Sequence, residues 1–369
     1  APQLFSALRG LWVLHHVRAE LTTAREIGEQ LLGMAEQLQD PALLLEAHRA
    51  LGSTLLWQGE FSRARTHLER AGALYDPQLH RSHAFLHGGA DPGVSCLCEA
   101  ARVLWFLGYP DQALRRSQAA LDLARKLADP FSFGFALVFA AGLHQLRREG
   151  RAAQQRAEEA IALAGAQGFV SLLAAGTIRR GWALAEQGQV EEGLAQMRHG
   201  LTARQTTGAE LAQPYFLALQ AEVYGKVGRV DTALALLAEA LAVAHTTGER
   251  RLEAELHRLR GELTLQKGAR DWRLGAEPSS PQVPSPQHPT PSTHAEAEAC
   301  FHQAIDIARR QEARSLELRA VTSVARLWRH QGKEAEARQA LADVYGWFTE
   351  GFDTADLQDA RALLRELAR

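Results

Sequence analysis

The chain is short of the residues that cross-linking and much active-site chemistry depend on. Of its 369 residues, three are cysteine (Cys96, Cys98 and Cys300) and two are methionine. So few thiols make no disulfide framework, which fits a reducing, cytoplasmic setting. An excess of charge is missing too. With 41 basic against 43 acidic side chains, neither nucleic acid nor an anionic membrane is expected as a partner. No uninterrupted apolar run approaches the ~18 residues of a membrane span, and no basic-then-apolar leader opens the chain. Neither a membrane anchor nor a signal peptide is therefore expected. Strand-like alternation is absent, and with it any glycine-rich strand-to-helix turn. There is no G-x-x-x-x-G-K-[ST], no H-E-x-x-H and no C-x-x-C. Gly332-Lys333 lacks both the upstream glycine and the following hydroxyl. No catalytic residue and no cofactor is expected.

What the chain has instead is a period. Gly188, Gly228 and Gly268 are forty residues apart, as are Gly168, Gly208 and Gly248, and Ala160, Gly200 and Ala240. Three interleaved series with one period mark a tandem structural repeat. Small residues fall seven before the turn glycine (Gly181, Ala221, Gly261), five after it (Gly193, Ala233) and twelve after it (Gly200, Ala240). Small side chains let helices approach closely, while Leu234, Leu237 and Leu241 at helical spacing fill the gaps between layers. Gly208 and Gly248 each follow a Thr-Thr pair, where a helix needs a left-handed terminating residue. These offsets resemble the tetratricopeptide (TPR) motif. The period exceeds the ~34 residues of that motif, so longer helices are expected. The resulting fold class is all-α: a right-handed α-α superhelix of about eight helical hairpins with a C-terminal capping helix, in which each unit packs only on its neighbours.

Taken in order, residues 1–75 hold two repeats. Asp40-Pro41 reads as an N-cap followed by proline at the first helical position. Residues 76–94 break the period and read as a long inter-repeat loop, with a short helix expected around His83. Repeats three to six and the first helix of the seventh occupy 95–268, with Asp129-Pro130 starting a hairpin as Asp40-Pro41 does. Residues 269–292 hold six of the 13 prolines and read as a flexible insertion between the two helices of one repeat. Residues 293–369 complete that repeat, add an eighth, and close with a polar helix over 353–368. All form one continuous solenoid. The chain enters helical pattern directly at Ala1, which predicts a piece of a longer protein.

Candidate chemistry is sparse. His80, His83 and His87 precede Cys96 and Cys98, residue types that suit zinc. Cys96 and Cys98, however, diverge by roughly 200° on a helix and cannot chelate one ion together. Loop histidines and buried cysteines are the better reading, with no metal. The paired arginines (Arg115-Arg116, Arg147-Arg148, Arg179-Arg180, Arg250-Arg251, Arg309-Arg310) could form a phosphate-binding stripe. Interspersed acids favour a solvated face instead. Phe131, Phe133, Phe135 and Phe139 at helical spacing read as core.

A surface remains. In an array of this kind the first helix of each hairpin lines the concave face. That places Arg49, Arg102, Trp105, Trp182, Tyr215, Glu222, Lys226, Arg258, Glu262, Arg326 and Arg329 toward a groove, as exposed contacts for a protein or peptide partner.

Particular strings carry a closer resemblance. LLLEAHRALGSTLLWQGEF (43–61), DPGVSCLCEAARVLWFLGYPDQAL (91–114), RRGWALAEQGQVEEGLAQMRHGL (179–201), SLELRAVTSVARLWRHQGKEAEAR (315–338) and VYGWFTEGFDTADLQDARALL (344–364) resemble the C-terminal TPR-type region of large bacterial signalling proteins. There, a class III adenylate/guanylate cyclase domain, a STAND-type (AAA+-like) ATPase, or both, precede such an array. The resemblance implies a non-catalytic sensor or regulatory arm that engages a separate partner or the parent's own upstream domains; the parent's cyclase and ATPase motifs have no match here. A free-standing scaffold is the alternative, and a metal-binding protein or enzyme using the His80–Cys98 region a third.

Overall fold

Aspartate followed by proline starts three of the helices. Asp40 Oδ1 accepts from the backbone N–H of Ala42 at 2.9 Å and of Leu43 at 3.3 Å. Asp129 accepts from Ser132 at 3.0 Å. Asp91 caps in the same way, accepting from Gly93 and Val94 at 2.9 and 3.1 Å, so the helix there begins at Pro92, inside the stretch expected to be loop. The carboxylate satisfies orphan N–H groups, and proline needs no donor at that position.

A computed structural model describes residues 2–80, 89–275 and 291–368. Among them the structure is all-α, a TPR-like solenoid of antiparallel helices. The helices are α1 (Pro2–Val17), α2 (Leu21–Leu38), α3 (Pro41–Gln58), α4 (Phe61–Leu74), α5 (Pro92–Phe106), α6 (Pro110–Leu127), α7 (Pro130–Leu146), α8 (Gly150–Gln167) and α9 (Val170–Glu186). Then come α10 (Val190–Gln205), α11 (Gln213–Lys226), α12 (Val230–Thr247), α13 (Glu253–Gly275), α14 (Pro291–Arg310), α15 (Arg314–His330), α16 (Glu334–Tyr345) and α17 (Ala355–Glu366). His83 and His87, and the short helix expected around His83, lie outside the described residues.

The glycine series explain the packing. Gly168, Gly208 and Gly248 take φ of +71°, +67° and +74° just past α8, α10 and α12, a conformation that costs a side chain dear. Gly181 has a different reason: a Cβ there would lie 2.5 Å from the carbonyl oxygen of Gly193. The backbones of α9 and α10 are in contact, which explains small residues at both offsets.

Two expectations fail between residues 253 and 292. Gly268 is not a turn glycine; it lies inside α13, which stays helical to Gly275. No proline intervenes before Pro278, and Arg270 reaches Asp231 at 2.8 Å, holding the extra turns against α12. α14 in turn begins at Pro291, inside the expected insertion. Residues 276–290 lie outside the described residues.

Among the described residues one helix, Val230–Thr247, is long and apolar enough to cross a membrane, with mean hydropathy 1.2. Its alanines supply much of that value. It carries Asp231 and Glu239 and buries Ala233, Leu237, Ala240 and Ala244.

The expectation that each unit packs only on its neighbours is also overturned. Trp57 O accepts from the backbone N–H of Arg250 and Arg251 at 3.0 and 3.2 Å. Ser315 Oγ donates to Trp105 O at 2.5 Å. Glu350 Oε1 accepts from Asp111 and Gln112 at 3.0 and 2.9 Å, capping α6 from the far end of the chain. The superhelix winds tightly enough for later helices to rest on earlier ones. One core cluster accordingly runs from Leu21 to Leu316.

Candidate interaction groove

The odd-numbered helices from α7 to α17 enclose a cleft of about 270 Å³. Of the residues expected in the groove, Trp182, Tyr215, Glu222, Lys226, Arg258, Glu262 and Arg326 line it. Helical spacing brings them together. Glu222 and Lys226, four apart, meet at 3.3 Å, and Lys226 also pairs with Glu186. Arg258 meets Glu255 at 2.7 Å and Glu262 at 2.5 Å. Ser323 Oγ donates to Glu262 at 2.8 Å.

The remaining four lie elsewhere. Arg49 is buried against Glu46 at 2.9 Å and sits over the Trp12 ring. Arg329 pairs with Glu366 on α17. Arg102 is buried over Phe139, 3.7 Å from the ring centroid. Trp105 is core, with Arg319 over its ring at 5.0 Å. The three aromatics are not the exposed contacts expected. Trp105, Trp182 and Tyr215 are 2%, 0% and 4% exposed, because packing between successive odd helices consumes their faces. Only polar tips reach out: Trp182 Nε1 donates to Glu222 at 3.2 Å, and the Tyr215 hydroxyl to Gln145 Oε1 at 3.0 Å.

Residue-by-residue reading missed what the winding supplies. Arg319 bonds Asp356 at 2.9 Å and lies 3.5 Å from Glu255, and its guanidinium donates to Leu146 O at 2.5 Å. Arg148 bonds Asp359 at 2.8 Å and lies 3.4 Å from Asp356. The one sequence signal was two aspartates three apart on the closing helix. The cleft is thus a lattice of five cations and five carboxylates. Burial works to raise the Glu255 carboxyl, yet Arg258 and Arg319 prevail and bring it down to about 2. Burial likewise opposes the charge on Lys226, and Glu222 and Glu186 raise its pKa nonetheless.

The other candidates resolve simply. The thiols of Cys96 and Cys98 enter different core clusters, and burial raises both pKa values. His80 hydrogen-bonds with the backbone of Asp76. Phe135 stacks on Phe139 and Phe131 packs edge-on against Phe169. Arg115, Arg116, Arg309 and Arg310 are exposed. The solvated-face reading fails, however, for Arg147, Arg179 and Arg251, which are buried because earlier or later turns cover them.

No family model matches the sequence. An uncharacterized protein of Rhizobium meliloti (strain 1021) is 25% identical over 252 residues, covering 67% of this chain and 24% of that protein. The match thus spans about a quarter of the curated relative's length. Among solved structures, a Rap protein complexed with Competence and Sporulation Factor aligns over 100% of this chain and 97% of its own, with TM-score 0.56 and 11% identity. NprR in complex with its cognate peptide NprX aligns over 98% and 96%, with TM-score 0.53 and 11% identity. The human IFIT1 dimer with PPP-AAAA aligns over 97% and 74%, with TM-score 0.50 and 15% identity. These likenesses are of fold.

Proposed function

We propose that the chain is a non-catalytic interaction module whose cleft takes a peptide segment of a protein partner. The ion-pair lattice carries this reading. Balanced charge favours a zwitterionic chain over a polyanion such as nucleic acid. Each side chain is already paired, so a ligand must exchange internal pairs for its own, which makes binding selective. Two proteins of similar fold are solved with a bound factor or peptide, which supports the choice.

The test is selection of peptides from a displayed random library on the purified protein, repeated with Lys226→Glu and Arg326→Glu. Both residues are about half exposed at the rim. Enriched sequences should carry acidic side chains that the reversed variants replace with basic ones. No enrichment, or an unaltered consensus, would sink the reading.

The finer proposal is a regulatory arm of a larger signalling ATPase or cyclase. Sequence resemblance supports it, as does a curated relative about four times the matched length. Sequencing the coding DNA upstream of Ala1 tests it: a continuous frame into a nucleotide-binding domain is expected, and a start codon there would leave a free-standing scaffold.

A further inference from the structure

Of the six arginines buried among the described residues, three are well partnered. Arg9 and Arg49 share Glu46 at 2.8 and 2.9 Å, and Arg147 bonds Glu149 and the Pro110 carbonyl, both at 2.8 Å. Arg102, Arg179 and Arg251 are different. Each is 4% exposed or less. Among the described residues Arg102 forms no ion pair. Arg179 donates from Nη1 to Ala175 O at 2.9 Å, but its Nε has no partner. Arg251 leaves Nε and Nη2 without hydrogen bonds, and Glu249 stands 3.6 Å from that Nε.

The three converge. Arg102 Nη2 and Arg179 Nε lie 3.0 and 3.1 Å from the point a Cβ on Gly142 would occupy. The Tyr215 ring lies 5.4 Å from the Arg179 guanidinium and 5.1 Å from that of Arg251. Arg204 and Arg179 both sit over Phe216, at 5.2 and 5.5 Å, and the Nε of Arg204 is also unpartnered. Two buried carboxylates stand nearby. Glu99 accepts from Ser53 at 2.7 Å, and Glu249 accepts from the Ala212 N–H at 2.8 Å. Three buried guanidiniums and the half-buried one of Arg204 face two carboxylates, an excess of two positive charges. Burial lowers the pKa of Arg102 to about 9, with Arg251 and Arg179 adding to the effect. Like charges with unused donors in a core are costly unless a counterion completes them.

We propose that Arg102, Arg179 and Arg251 form an internal phosphate site, with Gly142 letting the two facing guanidiniums close in against the helix backbone and Arg204 adding charge. Guanidinium forks match the oxygens of a phosphate group. A dianion balances the excess of two, which a single carboxylate does not. Tyr215 touches both the arginines and the cleft, so the phosphoryl group is either free phosphate or one carried by a peptide in the cleft. The free-ion arm does not depend on the cleft binding peptide.

Calorimetric titration and thermal melting of the intact wild-type chain test this. The probes are sodium phosphate, sodium chloride at equal ionic strength, and one peptide with and without a phosphoserine. A saturable response to phosphate, absent with chloride, is expected and assigns the source to the free ion. A response to the phosphopeptide alone assigns it to a peptide. Arg179→Gln and Gly142→Ala should each weaken the responding probe by roughly tenfold or more. Wild-type protein that responds to neither probe beyond ionic strength overturns the proposal, whether or not the variants fold. So does unchanged affinity in folded Arg179→Gln.

Discussion

Arg148 Nη1 lies 2.8 Å from Asp359 Oδ2, joining the turn after α7 to the closing helix α17 across most of the chain. Asp356 accepts from the same guanidinium and from Arg319. The last helix is therefore more than a polar cover for the array's end. It is a latch on the cleft, and the Glu350 carboxylate at the start of α6 is its second fastening. An exposed pair of this kind contributes about 0.2–1 kcal/mol, whereas loss of a helix cap costs about 1 kcal/mol. Asp359→Asn, which leaves the buried Arg319–Asp356 pair in place, should thus barely move the melting temperature but speed amide exchange over residues 355–366. Glu350→Ala should lower it measurably. Exchange in α17 no faster than in wild type would show that apolar packing alone holds the latch.

The same substitution at two glycines should have opposite signs. A Cβ at Gly165, within α8, meets nothing within 4 Å, whereas at Gly181 it meets the Gly193 carbonyl at 2.5 Å. Gly165→Ala should stabilise by about 0.5–1 kcal/mol through the unfolded chain and helix propensity. Gly181→Ala gains the same propensity but must separate two backbones, and should be net destabilising by about 1–3 kcal/mol. Denaturant titration of both variants checks this. Equal signs would mean that the α9–α10 contact yields easily.

Much of the fold was legible because its determinants are local. An Asp-Pro step fixes a helix start within three residues, and a left-handed glycine fixes an end. Seven of the eleven groove residues could be placed because the motif says which helix faces inward. The failures share one cause. Arg102, Arg179 and Arg251 are buried, and Trp105 meets Ser315, because distant turns come to rest on one another. No forty-residue window contains that information. Gly268 misled for a related reason: a period predicts where a turn was, while the chain between Gly261 and Pro278 offers nothing to break a helix.

Residues 276–290 hold five prolines and only two aliphatic side chains, Ala276 and Val283. Replacing them with a short Gly-Ser linker should leave the melting temperature within about 1–2 °C of wild type, since α13 and α14 keep their own packing. Extending the deletion back to Ala269 should be worse, because it removes Arg270 from Asp231. Similar losses for the two deletions would place structural work in the proline-rich stretch.

Acid should unfold the protein in two stages with separable causes. His16 is buried, tilted against the Trp12 ring with centroids 4.7 Å apart and bonded to Ser53 at 3.1 Å. Burial, helped by the charge on Arg49, lowers its pKa from 6.5 to about 3. The unfolded chain takes up that proton below pH 6.5 and the folded chain refuses it until about pH 3, so stability falls throughout that interval as pH drops. Glu255 acts in a lower window. Its folded value of about 2 lies under the ordinary 4.5, so the stability its ion pairs give is complete above pH 4.5 and is lost as pH falls toward 2. His16→Phe should therefore flatten the dependence between pH 6.5 and 4.5, by roughly 1–3 kcal/mol over that span, and leave the lower limb steep. Glu255→Gln should do the converse while lowering stability at neutral pH, since Arg258 and Arg319 lose a shared counterion. Urea titrations at half-unit intervals of pH resolve the two limbs. A His16→Phe profile parallel to wild type from pH 6.5 downward would mean that the imidazole is protonated inside the fold, with Glu99, bonded to the same Ser53 hydroxyl, as the nearby carboxylate to receive its charge.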